Sequence, residues 1–512
     1  MLKKIIKILS SKLFLVVLAI TIQIVFIAGI VLSLSRYFIQ VQIVLETLSV
    51  VVCIYINNKE DNPAYKISWI FLILLVPVFG AIWYMLFGGT KVPKELQQRD
   101  KQSYIQMKDY IDTEEQLLEE IKKENIGAYK QVNYIVSNAL FPIYKKTNTT
   151  YFKCGEDKLE ELLIQLKKAK KFIFLEYFII AKGEMWNKVL EILKDKVKEG
   201  VDVRVIYDDA GCFSTLDQHY DKYLNSIGIK TKVFNPIRAR LAIQMNNRDH
   251  RKIVVIDGLV GFSGGINLAD EYINLINRFG RWKDSAIMIE GQAVWNFTLM
   301  FLQFWNYDNT IKDNFLDYRI PKEVFDNYKD DGYVLPFSDS PTDEERVGEY
   351  SHINMINGAN KYIYIQTPYL VLDYEMKTAL LIAAKNGVNV SIMVPHIPDK
   401  KYVFALTKGN YKTLVEGGVH IYEYLPGFVH AKSLVSDDIM GIVGTINTDY
   451  RSYYLHYEDA VLFYKSKVVM DLKLDFEQSL KECKSISLDD CLNEPLHKRI
   501  IRAILNLFAP LL

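Results

Sequence analysis

Residues Asp249–Asn267 read DHRKIVVIDGLVGFSGGIN, and residues Val429–Asn447 read VHAKSLVSDDIMGIVGTIN. In both, a His is followed after one residue by a Lys and after four more by an Asp, and an Asn stands 17 residues beyond the His. These are His250, Lys252, Asp257 and Asn267 in the first copy and His430, Lys432, Asp437 and Asn447 in the second. A single HxKxxxxD string is weak, because three fixed residues recur by chance. Two copies with matching glycine and Asn offsets mark an internal duplication.

The duplication extends outward from the two motifs. A helical pattern ending at Lys171 leads into the apolar run Phe172–Ile180, interrupted by Glu176; a second begins around His352 and leads into Tyr362–Leu372, with Gln366, Thr367, Pro368 and Tyr369. Each run is followed by a helical stretch, a glycine and a short alternating segment, Gly200–Val205 and Gly387–Ile392. Strand, helix and strand, twice over, predict an α/β fold of two pseudo-symmetric α/β/α repeats sharing one active site. In an extended strand, side chains at i and i+2 share a face, so HxK sets an imidazole and an ammonium over one surface. Ile253–Ile256, apolar throughout, reads as the buried strand that holds the first pair. Asp257 precedes Gly258, a pair common in tight turns, so a structural role for it stands beside a catalytic one. Gly264, Gly265 and Gly444 suit tight backbone as well as closeness to a phosphate.

The 512 residues suffice for a membrane segment and two domains, and 62 Lys and Arg against 61 Asp and Glu give no support to a broad nucleic-acid surface. The five cysteines, Cys53, Cys154, Cys212, Cys483 and Cys491, are scattered without a CxxC pair, which argues against a zinc cluster or a secreted disulfide framework. Hydrophobicity concentrates at the N-terminus. Leu13–Ser35 runs without a charge for a bilayer's length, and Ile67–Phe87, with Trp69, Trp83 and Tyr84 near its ends, is the strongest predicted span. Phe38–Ile56 carries Gln40, Gln42 and Glu46 and suits a span, a re-entrant piece or an interfacial helix. Lys3, Lys4, Lys7 and Lys12 favour a cytoplasmic N-terminus, while Lys91, Lys94, Arg99 and Lys101 favour a cytoplasmic body; together they demand an even number of crossings. After Pro495, Leu496, Ile500, Ile501, Ile504, Leu505 and Phe508 fall at helical spacing beside Lys498, Arg499 and Arg502. Such a helix suits an anionic interface or packing against the protein body.

The duplicated motif resembles that of the phospholipase D superfamily over about Tyr151 to Asp490. The tail of the second copy, Gly444-Thr445-Ile446-Asn447-Thr448-Asp449-Tyr450-Arg451-Ser452 with Glu458, and the segment Asn62–Gly89 are similar to bacterial cardiolipin synthases. Thr448 stands where that family usually has Leu, and His456 where it usually has Asn. The resemblance implies a histidine nucleophile and a covalent phosphohistidine, with His250 attacking by analogy. The other histidine, protonated, serves the departing alcohol and later deprotonates the acceptor. His250, Lys252, Asp257, His430, Lys432 and Asp437 are then the catalytic candidates. Lys252 and Lys432, with Asn267 and Asn447, suit non-bridging phosphate oxygens, and Gly265 and Thr445 join the candidate substrate contacts. The family also suggests acidic residues downstream of each motif as acceptors behind the histidines, with Asp284 and Glu458 the candidates. No metal or cofactor is implied.

The expected reaction is phosphatidyl transfer between two phosphatidylglycerol molecules, with membrane lipids as partners and no nucleic acid, in a multi-pass protein of the cell membrane with a cytoplasmic catalytic body. A membrane-bound phospholipase D using water as acceptor, or a non-enzymatic lipid-binding protein on the same fold, are the other readings. The expected division is a membrane anchor over 1–90 with transmembrane helices, a helical linker over 91–145, repeats over 146–335 and 336–494, and an amphipathic C-terminal helix over 495–512.

Overall fold

Lys252–Ile256 is a strand whose residues are all buried, as its apolar run dictates. Around it, the computed structural model describes residues 21–23, 25, 36–88, 92, 94–112, 114–236, 247–307 and 312–511. The chain forms two units: residues 1–94 with 237–246 and 503–512, and residues 95–236 with 247–502.

The larger unit holds both repeats. Its first sheet runs in the order Thr147–Phe152, Ala286–Gly291, Val260–Gly264, Lys252–Ile256, Phe172–Tyr177, Asp202–Asp208, Lys230–Phe234. The second repeats that order as Tyr333–Asp339, His456–Tyr464, Met440–Gly444, Ser433–Ser436, Tyr362–Gln366, Asn389–Pro395, His420–Tyr424, and adds Cys483–Ser485 at its edge. In each sheet three strands are parallel, joined through helices such as Glu184–Lys198 and Tyr374–Lys385, and the motif strand pairs antiparallel with the first of them. A repeat boundary at 335/336 is displaced: it would cut Tyr333–Asp339, which pairs along its whole length with His456–Tyr464. The helix Val294–Trp305 is buried at every residue, which suits its apolar character on all sides, and Phe301 stacks on Phe174 with centroids 4.4 Å apart. Three helices, Lys94–Lys108, Glu115–Glu124 and Ile126–Asn138, precede the first strand.

Glu176, the charge inside an apolar run, finds its reason here. Its carboxylate lies 2.6 Å from the Nε of Arg251, and the Arg251 guanidinium stacks 3.7 Å over the ring of Phe304. Both charges are fully buried, so removing either would strand the other in the core.

In the smaller unit, Ile67–Phe87 does not form the continuous span expected of it. Helix Pro63–Leu75 ends and helix Pro77–Phe87 begins on either side of Val76. Pro77 disfavours helical backbone at the residue before it and supplies no N–H. The second helix folds back so closely that a Cβ on Gly80 would lie 2.6 Å from Ile73 Cα. At 1.5 Å per residue the two pieces reach only about 20 and 16 Å, short of a ~30 Å hydrocarbon core. Helix Arg36–Asn57 has 22 residues but carries Arg36, Gln40, Gln42 and Glu46, and the Ser49 hydroxyl donates to Pro77 O at 2.9 Å. Among the described residues no helix is long and apolar enough to cross a membrane, so they give no support to the multi-pass anchor. Most of Leu13–Ser35 lies outside the described residues. Of the amphipathic tail, helix Leu496–Phe508 forms as its spacing dictates. Its last turn joins the hairpin, through the Ser68 hydroxyl donating to Leu507 O at 2.6 Å and an edge contact of Phe71 with Phe508.

Candidate active site

Each histidine is delivered by a short strand that leaves its own repeat and pairs with the other. Arg248–Asp249 lies parallel to the start of His456–Tyr464, and the His250 N–H donates to Tyr457 O at 2.9 Å. Gly427–Val429 lies parallel to Arg281–Lys283, and the His430 N–H donates to Lys283 O at 2.7 Å.

This exchange decides which carboxylate stands behind which imidazole. His250 Nδ1 is 2.8 Å from Glu458 Oε2 and 3.0 Å from Oε1, while His430 Nδ1 is 2.7 Å from Asp284 Oδ2. The acid downstream of each motif therefore serves the histidine of the other repeat. Both acids are wholly buried, and the histidines are only 7% and 8% exposed. Burial pulls His250 down to about 3, against the raising influence of Glu458. Burial, helped by Lys432 and opposed by Asp284, pulls His430 down to about 4. The carboxylates behave oppositely. Burial works to raise Glu458 and Asp284, but His250 and His430 outweigh it and hold both below the ordinary carboxylate range. At neutral pH each pair is thus a carboxylate accepting Nδ1–H from a neutral imidazole, which places the lone pair on Nε2.

The lysines turn back on their own motifs. Lys252 Nζ donates to His250 O at 2.6 Å and Lys432 Nζ to His430 O at 2.5 Å. Burial lowers Lys252 to about 8 and Lys432 to about 7, with Glu458 and Asp284 respectively the largest opposing influences. An arriving phosphodiester would favour the charged form of both.

The other candidates separate by what they touch. Asp257 adopts φ +53° at the far end of its strand and accepts the backbone N–H groups of Lys170, Lys171 and Phe172 at 2.7–2.9 Å. Asp437, at φ +58°, does the same for Asn360, Lys361 and Tyr362 at 2.7–3.0 Å. Their carboxylates hold turns together, which removes both from the catalytic set. Asn267 is also engaged: its Oδ1 accepts the Ile179 N–H at 3.0 Å and its Nδ2 donates to Tyr272 Oη at 2.8 Å. The Asn447 Oδ1, by contrast, is buried with no hydrogen-bond partner among the described residues. The Thr445 hydroxyl donates to Glu458 Oε2 at 2.5 Å and so supports the acid rather than facing substrate. Gly265 makes room, since a Cβ there would lie 2.0 Å from Asp284 Oδ1.

Apart from His456, the aromatic walls escaped the sequence reading. Trp282, Tyr272 and Phe428 surround His430 with ring centroids at 5.1, 5.5 and 5.9 Å, and Phe178 and His456 flank His250 at 5.1 and 5.3 Å. Trp282 Nε1–H also donates to Asp284 Oδ2 at 3.2 Å, and the Ser452 hydroxyl to Glu458 Oε1 at 2.7 Å. A Trp two residues before an acid was the available signal for the first of these.

The chain is similar to several known proteins. The family described as "Cardiolipin synthase, PLD-like domain" matches residues 162–293 and 352–480, and a phospholipase D-nuclease N-terminal family matches residues 47–89. The chain is 46% identical to an uncharacterized protein of Streptococcus mutans over 90% of its own length and 99% of the relative's. It is 32% identical to a cardiolipin synthase of Halalkalibacterium halodurans, covering 92% of this chain and 93% of that one. With cardiolipin synthase 2 of Bacillus anthracis it shares 33% identity, covering 90% and 88%. The fold is similar to the crystal structure of phosphatidylserine synthase from Haemophilus influenzae, with a TM-score of 0.56 at 16% identity, covering 75% of this chain and 98% of that one. With a duplicated His-Lys motif whose two halves complete each other, and with that family matched across both repeats, this chain belongs to the cardiolipin synthase family of phospholipase D-like proteins.

Proposed function

We propose that the protein is a phosphatidyltransferase that makes cardiolipin from two phosphatidylglycerol molecules and releases glycerol. The observation that carries this is the reciprocal pairing: two imidazoles, each with Nδ1 on a buried carboxylate of the other repeat and each with a lysine beside it. His250 Nε2 attacks phosphorus, the bond to the departing glycerol oxygen breaks, and His430 protonates that oxygen. A lipid hydroxyl then gives its proton to His430, attacks phosphorus and breaks the P–N bond. Both imidazoles begin neutral, and the charge of the bound phosphodiester is what raises one of them enough to hold the acid proton. Lys252 and Lys432, with the NH2 of Asn447, are suited to the non-bridging oxygens.

The work is done at the cell membrane, with the catalytic body on the cytoplasmic side. Support comes from exposed Ile39, Ile43, Val51 and Ile54 on the first described helix and exposed Phe71 and Leu75 on the hairpin. Leu13–Ser35 keeps the length and apolarity to cross. An enzyme held there meets lipid alcohols at high local concentration, which favours transfer over hydrolysis. Phosphatidylglycerol as the only phospholipid should yield about one glycerol per cardiolipin, a stoichiometry fixed by the exchange itself. Phosphatidic acid as the main product would instead make it a hydrolase, and dependence on CDP-diacylglycerol would exclude the reaction.

A further inference from the structure

His456 is the third imidazole of the site, and the proposed chemistry leaves it unused. It stands two residues before Glu458, as Trp282 stands two residues before Asp284, and the two rings occupy pseudo-symmetric places beside His250 and His430. Trp282 satisfies its ring nitrogen by donating to Asp284. His456 does not do the equivalent: its Nδ1 is buried without a hydrogen-bond partner among the described residues, 3.5 Å from Glu458 Oε1, and its side chain is only 10% exposed. One ligand atom each from His250, His456 and Glu458 lies within 4.8 Å of the others, and Glu458 Oε1 is 3.0 Å from His250 Nδ1 and 3.5 Å from His456 Nδ1.

We propose that His250, His456 and Glu458 form a binding site for a divalent cation of the zinc class, and that its occupation reversibly shuts the enzyme off. Two imidazoles and one carboxylate are a zinc ligand set that leaves a fourth position open. With bonds of about 2.0–2.2 Å, a tetrahedral ion sets its ligand atoms roughly 3.3–3.5 Å apart, so only small side-chain movements are required. The other half of the site has no equivalent, because an indole nitrogen is a donor only. Inhibition follows from the tautomer. A neutral imidazole carries one proton; an ion on Nδ1 leaves that proton on Nε2, and the lone pair needed to attack phosphorus is gone. Coordination also takes Glu458 away from the proton it otherwise accepts.

The test uses the full-length protein in detergent, with cobalt(II) and zinc(II) as probes. Expected are one bound cobalt per chain with the absorption of a tetrahedral nitrogen and oxygen site, and turnover of phosphatidylglycerol that falls as buffered free zinc rises and recovers on chelation. His456→Asn and His456→Trp should each lose the cobalt spectrum and shift the half-inhibiting zinc concentration upward at least tenfold, each compared with its own metal-free rate. His430→Ala should still bind the ion. The inhibition arm rests on the proposed reaction; the cobalt arm does not, so a dead enzyme that binds cobalt through His456 condemns the reaction and keeps the site. No tetrahedral cobalt in the wild-type protein, a sulfur-to-cobalt band placing the ion on a cysteine, or unchanged zinc sensitivity in both His456 variants would overturn the proposal.

Discussion

Glu458→Gln changes one atom in the second repeat and should disable the histidine of the first. The carboxylate is wholly buried, takes the His250 Nδ1 proton at 2.8 Å, and is steadied by the hydroxyls of Thr445 and Ser452. Gln keeps the shape and loses the charge. A buried hydrogen bond to a charged group is worth about 1.5–3 kcal/mol, so weakening it alone costs about 10- to 150-fold in rate. Gln adds a second fault. Two hydroxyls already donate to the acid, and an amide turned so that its NH2 meets Nδ1 selects the tautomer with the proton on Nε2. Inverting a catalytic tautomer in this way has an effect on the order of 10⁴. The expected result is a kcat lower by about 10²- to 10⁴-fold, with KM for phosphatidylglycerol within about threefold because no substrate contact is removed. Rapid acid quench with labelled lipid should show slow formation of the phosphoenzyme, while the melting temperature certifies the fold. A folded Glu458→Gln enzyme with kcat within threefold of wild type would refute the exchanged pairing as the source of the nucleophile.

Four further outcomes are expected. His250→Ala and His430→Ala should each nearly abolish turnover in a folded protein, since nucleophile and acid act as a unit, and peptide mapping of the quenched wild-type enzyme should find the phosphate on His250; a label on the His430 peptide reverses their roles. Asp257→Ala should lower stability by roughly 1–3 kcal/mol by orphaning backbone donors, seen as a lower denaturation midpoint, yet leave kcat of the folded enzyme within a few-fold. Lys432→Met should be inactive but more stable at pH 7. The folded Lys432 titrates near 7 and the unfolded one near 10.5, so the unfolded chain binds more protons across that window and wild-type stability rises through it; the advantage of Met in thermal melts should shrink from pH 7 towards 10.5. Pro77→Ala should loosen the hairpin turn, read as faster hydrogen exchange around Val76 with little change in the detergent assay.

By itself the sequence determined the duplication, the α/β class and the buried strand after the first His, and it singled out His250, Lys252, His430 and Lys432 as candidates. Those signals are local: a period of two, a fixed offset, a repeat. It also named Asp284 and Glu458 without saying which histidine each would meet. That choice belongs to the pseudo-two-fold, in which strands Arg248–Asp249 and Gly427–Val429 cross to the other repeat and join residues 208 and 146 positions apart. No local pattern encodes such a contact. The fates of Asp257, Asp437 and Asn267 needed the tertiary structure for the same reason, since their carboxylate or carbonyl oxygens accept from backbone N–H groups more than 70 residues away. The break at Val76-Pro77 is different: its signal was present in the chain, but a hydropathy window averages over a proline. Composition measures whether a segment is apolar enough for a bilayer, and only backbone geometry decides whether it stays straight long enough to cross one.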